Sequence, residues 1–131
     1  MRILSGVDIV DISRIGKSID RLGDAFINRV FTAAEREYCG RLEGKRQTES
    51  YAARFAAKEA AGKALGTGIM AEGVSLTDIE IKNNDKGAPE LVLKGNAVRI
   101  AEEKGVSDMS VSLSHDGEYA VAVCYMLAEE G

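Results

Sequence analysis

Tryptophan is absent from this 131-residue chain, and proline (Pro89) and histidine (His115) occur once each. A single proline leaves no stiff proline-rich linker. The two cysteines, Cys39 and Cys124, share no CxxC spacing, so neither a disulfide framework nor a redox pair is indicated and a reduced, cytoplasmic protein is expected. With one histidine and dispersed cysteines, a structural zinc site is excluded. No apolar run approaches the roughly 20 residues that span a bilayer. The opening MRILSGVDIVD carries Asp8 and Asp11 and lacks a signal-peptide layout, so no membrane association is expected. Positive charge is also short: 17 Lys and Arg stand against 21 Asp and Glu, for a net charge of -4. That field repels phosphate backbones and argues against general nucleic-acid binding.

What is present describes a globular protein: 45% hydrophobic and 29% charged residues, at a length that suits a single domain over 1–131. Residues 3–12 are apolar on both alternating faces and predict a buried strand. Asp11 or Ser13 then offers a cap for a helix running to about Gly23. Residues 25–31 predict a further helical turn or two. Thr32 and Glu35 form a capping-box pattern for a helix ending near Gly40. Residues 44–49 read as a polar loop. Ser50 to Leu65 carries seven alanines and predicts a central helix, stopped by Gly66. After a Gly-containing loop at 66–73, strands are expected at 78–83 and 90–93, a helix at 97–104, and strands at 109–114 and 119–127 joined by an Asp116-Gly117 turn. The fold class is therefore α+β, with a mostly antiparallel sheet packed on a long central helix.

Some residues break these patterns. Asp8 sits mid-strand between Val7 and Ile9, and a buried carboxylate needs a cation or donors. On the central helix Glu59 and Lys63 lie one turn apart on one face, with Arg54 and Lys58 on another. A structural ion pair would account for Asp8, and a solvated helix side for Arg54 and Lys58. Convergence of Asp8 and Glu59 on a divalent ion is the alternative. Mg²⁺ takes one or two carboxylates and completes its shell with water and phosphate oxygens. Cations beside such a site would offset phosphate charge, which points to phosphoryl chemistry. His115 ends a strand just before a turn, where it is either solvated or in contact with a ligand at the sheet edge.

The segments GVDIVDI (6–12), FTAAEREYC (31–39), RFAAKEAAGKALGTG (54–68), DIEI (78–81), KGAPEL (86–91) and SLSHDGEYAVA (112–122) together resemble the holo-[acyl-carrier-protein] synthases, the small bacterial type of 4′-phosphopantetheinyl transferase. The resemblance spans nearly the whole chain in the family's order. It implies the 4′-phosphopantetheinyl transferase fold and transfer of the 4′-phosphopantetheine arm of coenzyme A to a serine of apo acyl carrier protein. Adenosine 3′,5′-bisphosphate is the second product, and the reaction belongs to fatty acid biosynthesis. The resemblance further implies Mg²⁺ as cofactor and a homotrimer with active sites at subunit interfaces.

Carried over residue by residue, Asp8 and Glu59 match the metal-binding carboxylates. Lys63 matches a lysine beside the CoA diphosphate, and Glu59 with Lys63 form the catalytic pair. Arg54 and Lys58 match basic residues near the CoA phosphates. His115 matches a histidine close to the nucleotide, and Gly87 and Pro89 match a segment on its adenine side. The base stays open between Glu59 and a water on the metal. Arg14, Lys17 and Arg21 form a basic stripe on the first helix, suited to an acidic carrier protein, and Arg14 and Arg21 are the expected docking residues. A hydrolase of CoA or another pyrophosphate would share Asp8, Glu59 and Lys63, and a noncatalytic binding module is the third reading.

Overall fold

The computed structural model describes residues 1–68 and 73–129. Strand β1 (Arg2–Asp11) runs directly into helix α1 (Ile12–Leu22). Of the two candidate caps Asp11 is the one used, its carboxylate accepting from the Ser13 N–H at 2.9 Å. Gly23, at φ 59°, separates α1 from α2 (Asp24–Val30). Helix α3 (Ala33–Gly40) opens with the expected Thr32–Glu35 capping box.

Helix α4 (Gly44–Leu65) has 22 residues and ends at the left-handed Gly66. It begins before the predicted Ser50, because 44–49 is its first turn and a half rather than a loop. Lys, Arg, Gln and Glu are good helix formers, so polarity there did not mean irregular backbone. The Gln47 amide also donates to the carbonyls of Cys39 (3.2 Å) and Leu42 (3.0 Å), groups left over where α3 ends. The loop expected at 66–73 includes 69–72, which lie outside the described residues.

A short 3₁₀ turn (Leu76–Asp78) leads into β2 (Ile79–Asn83) and β3 (Pro89–Leu93), followed by α5 (Gly95–Glu103), β4 (Val106–Asp116) and β5 (Tyr119–Ala128). All strand pairs are antiparallel, but they form two sheets, β1-β5-β4 and β2-β3, where one was expected. The last turn falls one residue later than predicted. Asp116 pairs with Tyr119, so the loop is Gly117–Glu118 with Gly117 at φ 59°.

Both hydrophobic clusters draw on α4. Its alanines pack with Ile79, Ile81, Ile100 and Met126 on one side, and Ala52, Ala53 and Tyr51 pack with Phe31 and Ile15 on the other. Alanine on nearly every side lets strands come close. The closest approach is at Gly6 in β1, where an added Cβ would lie 2.0 Å from the Ala60 carbonyl oxygen. The opposite face of the three-stranded sheet carries Ile3, Val7, Ile9, Tyr119 and Tyr125, each at least half exposed.

Candidate active site

The close contact at Gly6 brings Asp8, two residues on, against α4. Lys63 Nζ lies 3.2 Å from Asp8 Oδ1 and donates to the Val7 carbonyl at 2.9 Å. Glu59, one turn before Lys63, faces the same space. Burial, and then the neighbouring Asp8 carboxylate, push the Glu59 carboxyl above its usual range, while Lys63 opposes them. Asp8, Glu59 and Lys63 are thus brought together. Lys63 is half exposed, so its pair with Asp8 adds little to stability. Two carboxylates made to share a confined space, with a mobile ammonium at the rim, are arranged for a ligand.

A cavity of about 260 Å³ opens beside the carboxylates, lined by Asp8, Glu59, Arg14, Ser18, Phe26 and Phe55 among others. Ser18 was not singled out from the sequence; Phe26 comes from α2, and Phe55 stands one turn before Glu59 on α4. Arg14 reaches this cavity and also lines a shallow groove along α1 with Lys17, Ser18, Asp20 and Arg21. The basic stripe therefore begins at the carboxylates. Arg14 and Arg21 are exposed.

Lys58, expected near the CoA phosphates, is turned into the protein. Its side chain is wholly buried, 2.6 Å from the equally buried Glu35. It donates to the Leu76 carbonyl at 3.0 Å and to that of Ile79. Burial pulls its ammonium below the ordinary lysine range, and Glu35 opposes that shift. The expected solvated side of α4 carrying Arg54 and Lys58 is thus corrected: that side faces α3 and β2. Apolar and small residues surround α4, so no polar stripe marks its outside.

Arg54 is buried too, at 6% exposure, and no carboxylate among the described residues pairs with it. Its guanidinium lies over the Tyr38 ring at 4.2 Å and donates to Ser50 Oγ (2.9 Å) and Asn83 Oδ1 (3.3 Å), while Nε has no partner. A desolvated cation with a spare donor is suited to an anion. Asn83 pairs with Pro89, so Arg54 touches the base of the hairpin that carries the exposed Gly87.

His115 stands apart from the carboxylates. It pairs with Ala120, which pairs with Val10 of β1, so it lies about 10 Å across the sheet from Val10, two residues beyond Asp8. Its Nδ1 is 3.7 Å from Glu49 Oε2, near the start of α4 and about 15 Å along the helix from Glu59. Glu49 was not singled out from the sequence, and no motif spacing marks it. The chain therefore holds two separate groups of candidate residues, Asp8–Glu59–Lys63 and, on the other side of α4, Arg54 with the β2–β3 hairpin.

Among the described residues no cluster of three metal-ligating side chains occurs. Asp8 and Glu59 are a two-carboxylate, all-oxygen set, which fits a hard cation such as Mg²⁺ that keeps water and substrate oxygens in its shell. The raised affinity of Glu59 for a proton, caused partly by Asp8, is the mark of a site that a cation would relieve.

Residues 5–124 match the family model of the 4′-phosphopantetheinyl transferase superfamily. The holo-[acyl-carrier-protein] synthase of Gluconobacter oxydans is 50% identical over 121 residues, covering 89% of this chain and 76% of that protein. That of Carboxydothermus hydrogenoformans is 48% identical over 122 residues, covering 93% and 95%. Among solved structures, the ACPS–CoA complex of Chronobacterium ammoniagenes superposes with a TM-score of 0.87 at 32% identity, covering 99% of this chain and 100% of that one. The holo-(acyl-carrier-protein) synthase of Bacillus anthracis, in complex with CoA (3′,5′-ADP), superposes with a TM-score of 0.79 at 38% identity, covering 96% of each.

Proposed function

The chain belongs to the 4′-phosphopantetheinyl transferase superfamily, and from that premise we propose that it transfers the 4′-phosphopantetheine arm of coenzyme A to a serine of apo acyl carrier protein. The products are holo acyl carrier protein, the form used in fatty acid biosynthesis, and adenosine 3′,5′-bisphosphate. The observation that carries this reading is the convergence of Asp8, Glu59 and Lys63 beside a cavity continuous with the basic stripe of α1.

Asp8 and Glu59 would hold Mg²⁺, which when bound supplies a Lewis acid for the CoA diphosphate. The serine oxygen attacks the phosphorus that carries the pantetheine arm, its proton passing to Glu59 or to a water, and the bond from that phosphorus to the oxygen of adenosine 3′,5′-bisphosphate breaks. Lys63 offsets the negative charge that grows on the phosphoryl and leaving oxygens. Arg14 orients the acidic carrier protein at the cavity mouth, with Arg21 a further two turns along α1. Arg54 lies on the side of a CoA phosphate, while Gly87, Pro89 and His115 line the nucleotide side.

The separation of the two residue groups supports a site completed between copies of the chain. The apolar sheet face of Ile3, Val7, Ile9 and Tyr125 is the surface for that assembly, as a homotrimer. We place the protein in the cytoplasm, in keeping with two free, buried cysteines.

The test is intact-mass spectrometry of apo acyl carrier protein incubated with the protein, CoA and Mg²⁺, with EDTA and the Glu59→Gln variant as controls. The carrier gains one phosphopantetheinyl group, and both controls abolish the gain. Cleavage of CoA without that gain would establish a hydrolase instead.

A further inference from the structure

The buried Lys58–Glu35 pair is built with more care than stability needs, since apolar residues of similar volume hold a core as well or better. Besides the Leu76 carbonyl and the Thr32 cap, its polar atoms reach one strand. Lys58 Nζ donates to the Ile79 carbonyl, the Ile81 N–H donates to Glu35 Oε2 at 2.7 Å, and Arg54 donates to the Asn83 side chain at 3.3 Å. Ile79, Ile81 and Asn83 alternate along β2, whose other edge pairs with β3. Charged side chains of α3 and α4 therefore stand where a third strand would. An isolated two-stranded ribbon is marginal in water, so this row, together with Ile79 and Ile81 in the core, holds the hairpin in place.

The turn beyond it is internally tied. Asn84 Oδ1 accepts from the Lys86 and Ala88 N–H groups, the Asn84 N–H donates to the Ala88 carbonyl, and the Gly87 N–H donates to the Asn84 carbonyl. Gly87 and Pro89 consequently move with β2 as a body. Arg54 lies one turn before Lys58 on the same face of α4, so the groups that grip β2 also fix its distance from the unpartnered Arg54 Nε.

We propose that Lys58 and Glu35 are positioning residues that hold the β2–β3 hairpin in register with the Arg54 guanidinium and thereby set the affinity for the nucleotide end of CoA. This rests on the transferase reading above, in which Arg54, Gly87 and Pro89 meet CoA. It assigns Lys58 an indirect role, through the backbone of β2, in place of contact with phosphate.

The test uses the paired variant Lys58→Met with Glu35→Gln, which removes the ion pair without leaving a lone buried charge and keeps an acceptor for the Ile81 N–H. Asn83→Ala is the second variant, since it cuts only the part-buried link to Arg54. Dissociation constants for CoA come from calorimetry, and KM values for CoA and for carrier protein from the mass assay. Both variants raise the CoA dissociation constant and KM about tenfold, with KM for carrier protein changed by less than about twofold. Combined, they raise it less than the product of their separate effects, because both act through one register. Equal losses toward both substrates, or a lower melting temperature with CoA affinity unchanged, would overturn the proposal. If the paired variant does not fold, Asn83→Ala carries the same comparison. A wild-type protein that neither binds CoA nor modifies the carrier would instead overturn the transferase reading itself.

Discussion

Replacing Gly6 by alanine tests whether the β1–α4 contact builds the site. The new Cβ would lie 2.0 Å from the Ala60 carbonyl oxygen, 2.8 Å from the Ala64 nitrogen and 2.9 Å from Lys63 Cβ. Two of these atoms are helix backbone and cannot turn aside. Ordinary Cβ contacts begin at 3.4 Å, so strand and helix must part by roughly 1.4 Å, the shortfall against that contact at Ala60. Overpacking on this scale costs about 3 kcal/mol, or about 10 °C in melting temperature for a domain of this size. The same displacement carries Asp8 away from Glu59 and Lys63. A misplacement of about 1 Å at a reacting centre lowers the rate about 100-fold. The assay is the initial rate of carrier-protein mass gain, taken well below the melting temperature of each protein. Gly16→Ala is the control, because its Cβ meets only Thr48 Cγ2, at 3.4 Å, inside α1. It keeps full activity and gains about 0.5 kcal/mol by restricting the unfolded chain. A Gly6→Ala protein that melts and turns over like the wild type would refute the claim that this contact places Asp8.

Reversing charge at Arg14 (Arg14→Glu) raises KM for carrier protein far more than KM for CoA in the same kinetic assay; equal effects would remove Arg14 from docking. Glu59→Gln stabilises the metal-free protein at neutral pH in thermal unfolding with EDTA. The folded-state pKa of Glu59 is raised, so its ionised form destabilises the fold above that pKa. The gain therefore shrinks as pH falls through the raised pKa and vanishes below the ordinary value of 4.5; a pH-independent difference would contradict the assignment to Glu59. Tyr125→Glu, on the exposed sheet face, lowers the assembly state seen by sedimentation and the transfer rate together. Full activity in a monomeric variant would rule out a site shared between copies.

Much of this arrangement was legible in the sequence, for local reasons. Asp11, Thr32 and Gly66 act within a few residues of themselves, so the ends of α1, α3 and α4 could be read from capping chemistry. The juxtaposition of Glu59 and Lys63 follows from helical periodicity, and that of Asp8 from a strand whose glycine two residues earlier lets it meet an alanine-rich helix. The burial of Lys58 and Arg54 was not legible, because periodicity tells which residues share a face of α4 but not which face is covered. A helix padded with alanine shows no polar face, and a lysine on it can be solvated or wholly buried with the same local sequence. What decides is Glu35, in another helix. Its role in the capping box uses one carboxylate oxygen, Oε1, while the other, Oε2, accepts from Ile81 across the core. Nothing in the pattern TAAE announces that second bond.

The same limit applies to the site as a whole. Glu59 and Lys63 look toward β1, whereas Arg54 and Lys58 look toward α3 and β2, so one helix supplies residues to two sides of the protein. In the proposed assembly a second copy would bring those sides to one diphosphate substrate, with the apolar face of β1 and β5 as the joining surface. The buried Lys58–Glu35 pair then acquires a reason that stability does not provide. If one copy presents the carboxylates and its neighbour the hairpin, the hairpin must be held to its own helix tightly enough to align with an edge it does not touch. Ion pairs and charge-assisted hydrogen bonds impose that register more narrowly than apolar contact, which permits sliding.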